Sequence, residues 1–140
     1  MLPRSFGIPK EDEMLASVHC LEDAVACSAK AGEFCRQRNI SERRSCAISL
    51  AIEEMASNVI QHGFADGKSH RLELRLAKKK EELILYMRDN CRTFDPKAFY
   101  QTMYTGEDPD SFLGIHIVMS TAREVNYTST FGLNTLTSWV

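Results

Sequence analysis

The amino-acid sequence predicts a single α+β domain, spanning residues 1–140, in which helices cover one face of a mixed, mostly antiparallel sheet. The length, with 44% hydrophobic and 26% charged residues, suits one domain with one core. Apolar residues recur at helical spacing in the first half of the chain and at strand spacing in two later pairs of segments. The resulting order is two helices, two strands, a long loop, a helix and two strands, which suits a sheet with helices on one face.

The first half of the chain predicts two helices after a short arm. Residues 1–13 contain proline and little pattern, which indicates an extended arm or a short edge strand. From about Met14 to Arg38, apolar and small residues recur at helical spacing and predict the first helix. Ser41 is a good N-cap for the second helix. We expect that helix to end at His62, because Gly63 favours the position just after a helix.

The second half predicts two hairpins separated by a long irregular stretch. The segments "HRLELRLA" and "ELILYMRD" predict two antiparallel strands. Residues 90–112 contain prolines and predict a loop with a short helical turn near 97–100. Such a loop is longer than a compact domain usually tolerates unless it is functional. Residues 113–122 predict a third helix, and residues 124–140 predict a closing hairpin with Gly132 in its turn.

Composition excludes several classes of function. The net charge of −2 and the pI near 6.1 argue against a general nucleic-acid or membrane-surface binder. No stretch approaches the roughly 20 apolar residues that span a bilayer, and no secretory signal pattern opens the chain. The five cysteines lack metal-ligand spacing and predict reduced, mostly buried thiols. We therefore expect a cytoplasmic protein without direct nucleic-acid or membrane partners.

The second predicted helix carries polar residues where apolar ones would be expected. In "AIEEMASNVIQHGF", residues Glu54 and Asn58 share one face, while Glu53 points about 100° away. Apolar neighbours such as Leu50 and Ala51 on the Glu54 side indicate a covered or cleft-lining surface. A partly desolvated carboxylate one turn from an amide can hold a hydrated divalent ion and accept a proton. Spacing alone also leaves an ordinary structural role open.

Two later motifs add independent signals. Asp89, in "RDNCRTFDP", follows an apolar strand, so the sheet would hold its backbone while its side chain reaches a ligand. Gly114, in "FLGIHIVMS", opens a predicted helix whose free N–H groups and dipole favour a phosphate. Each motif alone is weak, because a glycine before a helix is more often only a cap.

Together the motifs E-x-x-x-N-x-x-x-H-G, D-N-x-x-x-F-D-P and L-G-I-H-I-V resemble those of the GHKL ATPases, and among them the anti-sigma factor serine kinases. The resemblance runs from about Ser45 to the C-terminus. It implies a Bergerat-type two-layer α/β sandwich that binds ATP and Mg²⁺. It also implies Glu54 as general base, Asn58 as Mg²⁺ ligand and Asp89 as acceptor of the adenine amino group. The same motifs imply nucleotide contacts from further residues: Phe94, Leu113, Gly114 and Ile115.

The resemblance implies a kinase that phosphorylates a serine on a small partner, either an anti-anti-sigma-like substrate or a sigma factor, and a possible homodimer. The alternative is a degenerate, non-catalytic binding module of the same fold with weak or no nucleotide binding. Cys91 and Phe112 favour the alternative, because they stand where the family usually has glycine. The acidic residues of the predicted loop also favour it, since they repel a triphosphate unless Mg²⁺ is present.

Overall fold

The computed structural model describes residues 2–3, 5–93, 119–120 and 122–139. In this part of the chain the structure is a two-layer α+β arrangement, which confirms the predicted fold class. Neither of its two helices combines the length and apolarity that crossing a bilayer requires. The elements are β1 (Glu13–Val18), α1 (Leu21–Gln37), α2 (Glu42–Gly63), β2 (Leu72–Lys79), β3 (Glu82–Asp89), β4 (Glu124–Thr130) and β5 (Leu133–Trp139).

The five strands form one sheet in the order β1-β2-β3-β5-β4, and every pairing is antiparallel. The last hairpin therefore returns to the sheet with its second strand, β5, beside β3. In this register Asp89, the last residue of β3, lies opposite Asn134 near the start of β5. Asn134 in turn lies opposite Ser129 of β4. The pairing thus brings residues from three strands together at one end of the sheet.

The hydrophobic core lies between the helices and one face of the sheet. Along β2, the fully buried Leu72, Leu74 and Leu76 alternate with Glu73 and Arg75, so one side of the strand faces the core. The helices contribute further buried side chains, among them Ala24, Ala31, Phe34, Ile48, Ile52 and Met55. Burying each large aliphatic side chain stabilises the fold by about 1.5–3 kcal/mol. This core joins both helices to the same face of the sheet.

The N-terminal arm covers part of the opposite face of the sheet. Pro3 is buried, and its carbonyl accepts a hydrogen bond from Nη2 of Arg71. The Phe6 ring lies 5.1 Å from the guanidinium carbon of Arg75 and 6.3 Å from the Tyr86 ring centroid. The Arg75 guanidinium carbon also lies 4.0 Å from the centre of the Tyr86 ring, which adds cation–π attraction. The arm is therefore packed against the sheet.

One sequence-based boundary is wrong: the first helix does not begin near Met14, because residues Glu13–Val18 form strand β1 and pair with β2. Met14 and Val18 are both buried. A separation of four residues fits a helix face, but it equally fits one face of a strand, where every second residue points the same way. The spacing could not distinguish the two, and pairing with β2 decides for the strand.

The other predicted elements are confirmed where the structure describes them. Ser41 caps α2, with its hydroxyl accepting from the Arg44 N–H at 3.2 Å. Four strands lie close to their predicted positions. The predicted loop of residues 90–112 and the third helix of residues 113–122 fall largely outside the described residues. Met119 and Ala122, from the end of that predicted helix, pack against the core.

Candidate functional site

The polar face of α2 is partly covered. Glu54 and Asn58 are both half-buried, as is Leu50, and Ala51 is buried. The opposite side of the helix is anchored in the core by Ile52, so the two polar side chains cannot turn away without disrupting packing. Within residues 2–3, 5–93, 119–120 and 122–139, neither polar side chain has a hydrogen-bond partner. Their oxygens are therefore available to a ligand.

Asp89, at the end of β3, has a carboxylate that the protein itself orients. Its Oδ1 accepts from the backbone N–H of Cys91 at 2.9 Å and from Nδ2 of Asn134 at 2.8 Å. The first bond spans two residues, the local turn that aspartate side chains favour. The second comes from the neighbouring strand. The side chain is thus held from two directions while its backbone is fixed by the sheet.

Asn134 is a site residue that the sequence analysis missed. It is 1% exposed, and its Nδ2 also donates to the Cys91 carbonyl at 2.8 Å. Its Oδ1 accepts from the Ser129 hydroxyl at 2.7 Å. Leu136 and Ser138, which follow at alternate positions of β5, are buried as well. A polar residue at a core-facing position of the last hairpin was the available signal, but its importance depends on which strand β5 pairs with.

A contact between Gly63 and Cys91 joins the helix to the end of the strand. A β-carbon built on Gly63 would lie 2.6 Å from both Cβ and Sγ of Cys91, closer than real atoms approach. The Cys91 side chain therefore fills the space that the glycine leaves. Asn58 lies five positions before Gly63, about 7.5 Å along the helix axis. The contact consequently places the C-terminal end of α2 against the turn that follows Asp89.

Cys91 is a buried thiol that stays protonated. Burial, and then the nearby Asp89 charge, raise its pKa to about 12. Its sulfur lies 3.7 Å from Nδ1 of His70. Because the thiolate is the reactive form of cysteine, this environment makes Cys91 a packing residue and not a nucleophile. Its side chain points toward Gly63 and His70, and its predicted effect on nucleotide binding stays a prediction.

His70 links the turn after β3 to the loop that follows α2. Its Nε2 lies 2.5 Å from the Asp66 carboxylate, and its ring stacks on Phe64 with 5.3 Å between centroids. Hydrogen bonds from His70 and from the backbone of Lys68 lower the pKa of Asp66. Asn90 adds two bonds to the segment before β2, accepting from the Arg71 N–H and donating to the Ser69 carbonyl. Hydrogen bonds therefore join the residues beside Asp89 to the loop that follows α2.

The remaining predicted nucleotide contacts, Phe94, Leu113, Gly114 and Ile115, lie outside the described residues, as does Phe112. Among described residues, no cluster of three or more histidine, cysteine or acidic side chains could hold a metal ion. Mg²⁺ does not need such a cluster, since it is usually held by one or two protein oxygens together with substrate phosphates. The amide oxygen of Asn58, which has no partner among the described residues, fits that role, and the Asp89 carboxylate fits a hydrogen-bond donor on a base.

Comparison with known protein families finds a match over most of the chain. The family model described as the histidine kinase-like ATPase domain matches residues 20–138. The matched range contains α2, the end of β3 and the last hairpin, and hence Glu54, Asn58, Asp89 and Asn134. No curated protein matches the chain.

Proposed function

The chain belongs to the histidine kinase-like ATPase family, and we propose that it binds Mg·ATP between α2 and the end of β3 and transfers the γ-phosphoryl group to a serine of a small partner protein. Family membership supports the ATP-binding part of this proposal. The serine-kinase part rests on the resemblance of the three sequence motifs to those of the anti-sigma factor kinases. It also rests on the availability of the Glu54 carboxylate.

One observation carries the proposal: α2, which carries Glu54 and Asn58, ends against the turn that follows the oriented carboxylate of Asp89. Asp89 is held by the Cys91 N–H and by Asn134, whereas Glu54 and Asn58 have no hydrogen-bond partner among the described residues. Polar side chains on a partly covered face of a helix that ends beside an oriented aspartate fit a ligand-binding site.

Each residue has a role that its position supports. The Asp89 carboxylate would accept a hydrogen bond from the exocyclic amino group of adenine. Asn58 would offer its amide oxygen to Mg²⁺, whose bound form supplies charge stabilisation at the phosphates. Glu54, one helical turn from Asn58, would accept the proton of the attacking serine hydroxyl. That oxygen then bonds to the γ-phosphorus as the bond to the ADP oxygen breaks, and the protein acts mainly by positioning these groups.

The partner follows from the resemblance alone. We propose a small anti-anti-sigma-like protein as the serine-bearing substrate or a sigma factor as the bound target, which would place the chain in transcription regulation. A homodimer is part of the same proposal. Each of these partners is tested by a binding experiment of its own.

The rival function is a binding module that keeps the fold without phosphoryl transfer. The buried Cys91 side chain favours it, because it occupies volume beside Asp89 where the resembling family usually has glycine. The two functions differ in two measurable properties: the module binds Mg·ATP weakly or not at all, and it transfers no phosphoryl group.

A calorimetric titration of the full chain with Mg·ATP and Mg·ADP tests the proposal. We expect saturable binding by the wild type, and a loss of about 10-fold or more in Asp89→Asn, because a hydrogen bond to a charged group is worth about 1.5–3 kcal/mol. Glu124→Gln, which neutralises an exposed acid of β4, is the matched control and should bind as the wild type does. Absence of binding by the folded wild type would favour the binding module instead.

A further inference from the structure

A row of hydrogen-bonded side chains crosses three strands and ends on Asp89. Thr93 Oγ1 lies 3.0 Å from Ser129 Oγ, which donates to Asn134 Oδ1 at 2.7 Å. Asn134 Nδ2 then donates to Asp89 Oδ1 at 2.8 Å. The register pairs Asp89 with Asn134 and Asn134 with Ser129, so the row follows adjacent positions of β3, β5 and β4. We call these residues the Thr93–Asp89 relay.

The direction of every hydrogen bond in the relay is determined. Asn134 faces two acceptors, the Asp89 carboxylate and the Cys91 carbonyl, both 2.8 Å from Nδ2. A flipped amide would point its oxygen at both of them, which is repulsive, so the nitrogen must occupy this place. The amide oxygen then needs a donor, and the Ser129 hydroxyl supplies its only proton. Thr93 must consequently donate to Ser129.

The relay determines which oxygen of Asp89 is left for a ligand. Oδ1 receives two donors, the Cys91 N–H and Asn134 Nδ2, which together match the two acceptor positions of one carboxylate oxygen. Ligand recognition then falls to Oδ2. An ionised carboxylate oxygen can only accept, so a base that presents an amino group is bound and one that presents a carbonyl oxygen is repelled.

We propose that Asn134, oriented by Ser129 and Thr93, is the positioning residue that turns Asp89 toward an amino-bearing purine and away from a carbonyl-bearing one. This inference rests on the proposed nucleotide site and adds residues from β4 and β5 to it. It makes base selectivity a property of the last hairpin as well as of β3. The buried amide itself does not contact the ligand in this arrangement; it acts through Asp89.

The decisive variant is Asn134→Asp in the full chain, which keeps the side-chain shape and replaces the donor by an acid. The new carboxyl group would stand where Nδ2 of Asn134 lies 2.8 Å from Oδ1 of Asp89. The two acids would then share one proton and could not both ionise freely. We expect ATP affinity about 10- to 100-fold lower than in the wild type at pH 7.5, with part of the loss recovered near pH 5.5. Selectivity for ATP over GTP should fall as well, because Asp89 is no longer held in one orientation.

Ser129→Ala is the milder companion variant, because Ser129 is exposed and its loss should not prevent folding. It removes the hydrogen bond to Asn134 Oδ1 and leaves the amide held only through its two Nδ2 bonds, so we expect ATP over GTP selectivity to fall several-fold with little change in stability. Thr128→Ala, the exposed neighbour whose pairing with Thr135 lies outside the relay, is the matched control and should keep the wild-type selectivity. Unchanged selectivity in Ser129→Ala and an unchanged pH profile in Asn134→Asp would overturn the relay.

The pH comparison must be referred to the wild type, because other titratable groups lie nearby. Among the described residues, the Cys91 thiol lies nearest, but burial raises its pKa to about 12, so it does not titrate between pH 5.5 and 7.5. The next groups are His70, which contacts Cys91, and Asp66, which is bonded to His70. A merely structural role of Asn134 would lower affinity equally at both pH values.

If the wild type binds neither nucleotide, the proposed function fails, and urea unfolding without ligand still tests the relay. Asn134→Asp should then lose more stability between pH 5.5 and 7.5 than the wild type.

Discussion

The two halves of the candidate site differ in how far the protein builds them without a ligand. At the end of β3, Asp89 is held by two hydrogen bonds and by a relay that reaches across β5 to β4. On α2, Glu54 and Asn58 have no hydrogen-bond partner in the described part of the chain. The strand half is thus pre-organised without a ligand, whereas we expect the polar groups of the helix half to gain their partners when Mg·ATP binds.

This difference follows from what each half would bind. A base is recognised by a few hydrogen bonds of fixed direction, so orienting Asp89 in advance lowers the cost of ordering on binding. A hydrated metal ion and mobile phosphates bring their own oxygens and charge, and a pre-satisfied Asn58 would have to give up a bond to hold them. The halves should accordingly respond differently to mutation: α2 should govern rate and metal dependence, and the strand half should govern selectivity and stability.

The largest effect is expected at Glu54. Glu54→Gln keeps the size of the side chain but removes its ability to accept a proton, so phosphoryl transfer should fall about 10²- to 10⁴-fold while ATP affinity is largely retained. ADP formation from saturating Mg·ATP measures the rate whether the acceptor is a serine or water, and calorimetry measures the affinity of the same sample.

The neighbouring Glu53→Gln is the matched control, because Glu53 lies on the same helix but about 100° away from Glu54. It should leave the rate unchanged. Equal rates in the wild type and Glu54→Gln would remove Glu54 from the chemistry. Loss of thermal stability in Glu54→Gln without loss of rate would assign it a structural role.

A smaller effect is expected at Asn58, because Mg²⁺ keeps its phosphate and water ligands when one protein ligand is lost. Asn58→Ala should weaken binding of ATP about 10- to 100-fold when Mg²⁺ is present and hardly at all when EDTA removes it. Titrations with and without Mg²⁺ measure this difference directly. The role of Asn58 as a metal ligand is wrong if the variant and the wild type gain equally from Mg²⁺.

The sequence was sufficient to place the two polar residues of α2 on one helix face and insufficient to find the residues that hold Asp89. Glu54 and Asn58 are four residues apart on one helix, so local periodicity alone places them together. The end of β3 could be recognised as a functional position, but Asn134 and Ser129 reach Asp89 only through the order β3-β5-β4. Strand order depends on long-range pairing, which no local pattern specifies. The same limit explains the error at Met14, where only pairing with β2 distinguishes a strand from a helix.

The contact that joins the halves predicts an effect on stability. Gly63→Ala places a β-carbon 2.6 Å from Cβ and Sγ of Cys91, so we expect it to destabilise the fold by about 1–3 kcal/mol despite the better helix propensity of alanine. Adding Cys91→Gly removes both clashing atoms and should recover much of the loss in urea unfolding.

Gly32→Ala in α1 is the matched control for this cycle. Its β-carbon would lie 3.2 Å from Nη1 of Arg36, the guanidinium nitrogen that takes no part in the two hydrogen bonds to Glu42, so a shift of a few tenths of an ångström accommodates it. This variant should be neutral or more stable by up to about 1 kcal/mol. If Gly63→Ala behaves as Gly32→Ala does, α2 and the turn after β3 are not in tight contact, and the two halves are not rigidly joined.

The smallest effect is expected at Asp66, which supports the strand half through His70. The pKa of Asp66 is lowered by its hydrogen bonds to His70 and to the Lys68 N–H. A carboxylate with a lowered pKa contributes stability above the ordinary pKa of aspartate, near 3.9, and loses it as pH falls through the lowered value. Asp66→Asn should therefore be less stable than the wild type at pH 5 to 7, and the two should converge as pH falls through the lowered pKa of Asp66. Urea unfolding at stepped pH in low and high salt measures the difference, which must be small because Asp66 is exposed. A difference that persists unchanged at acid pH would mean that packing of His70 against Phe64, and not the Asp66 charge, holds this side of the site.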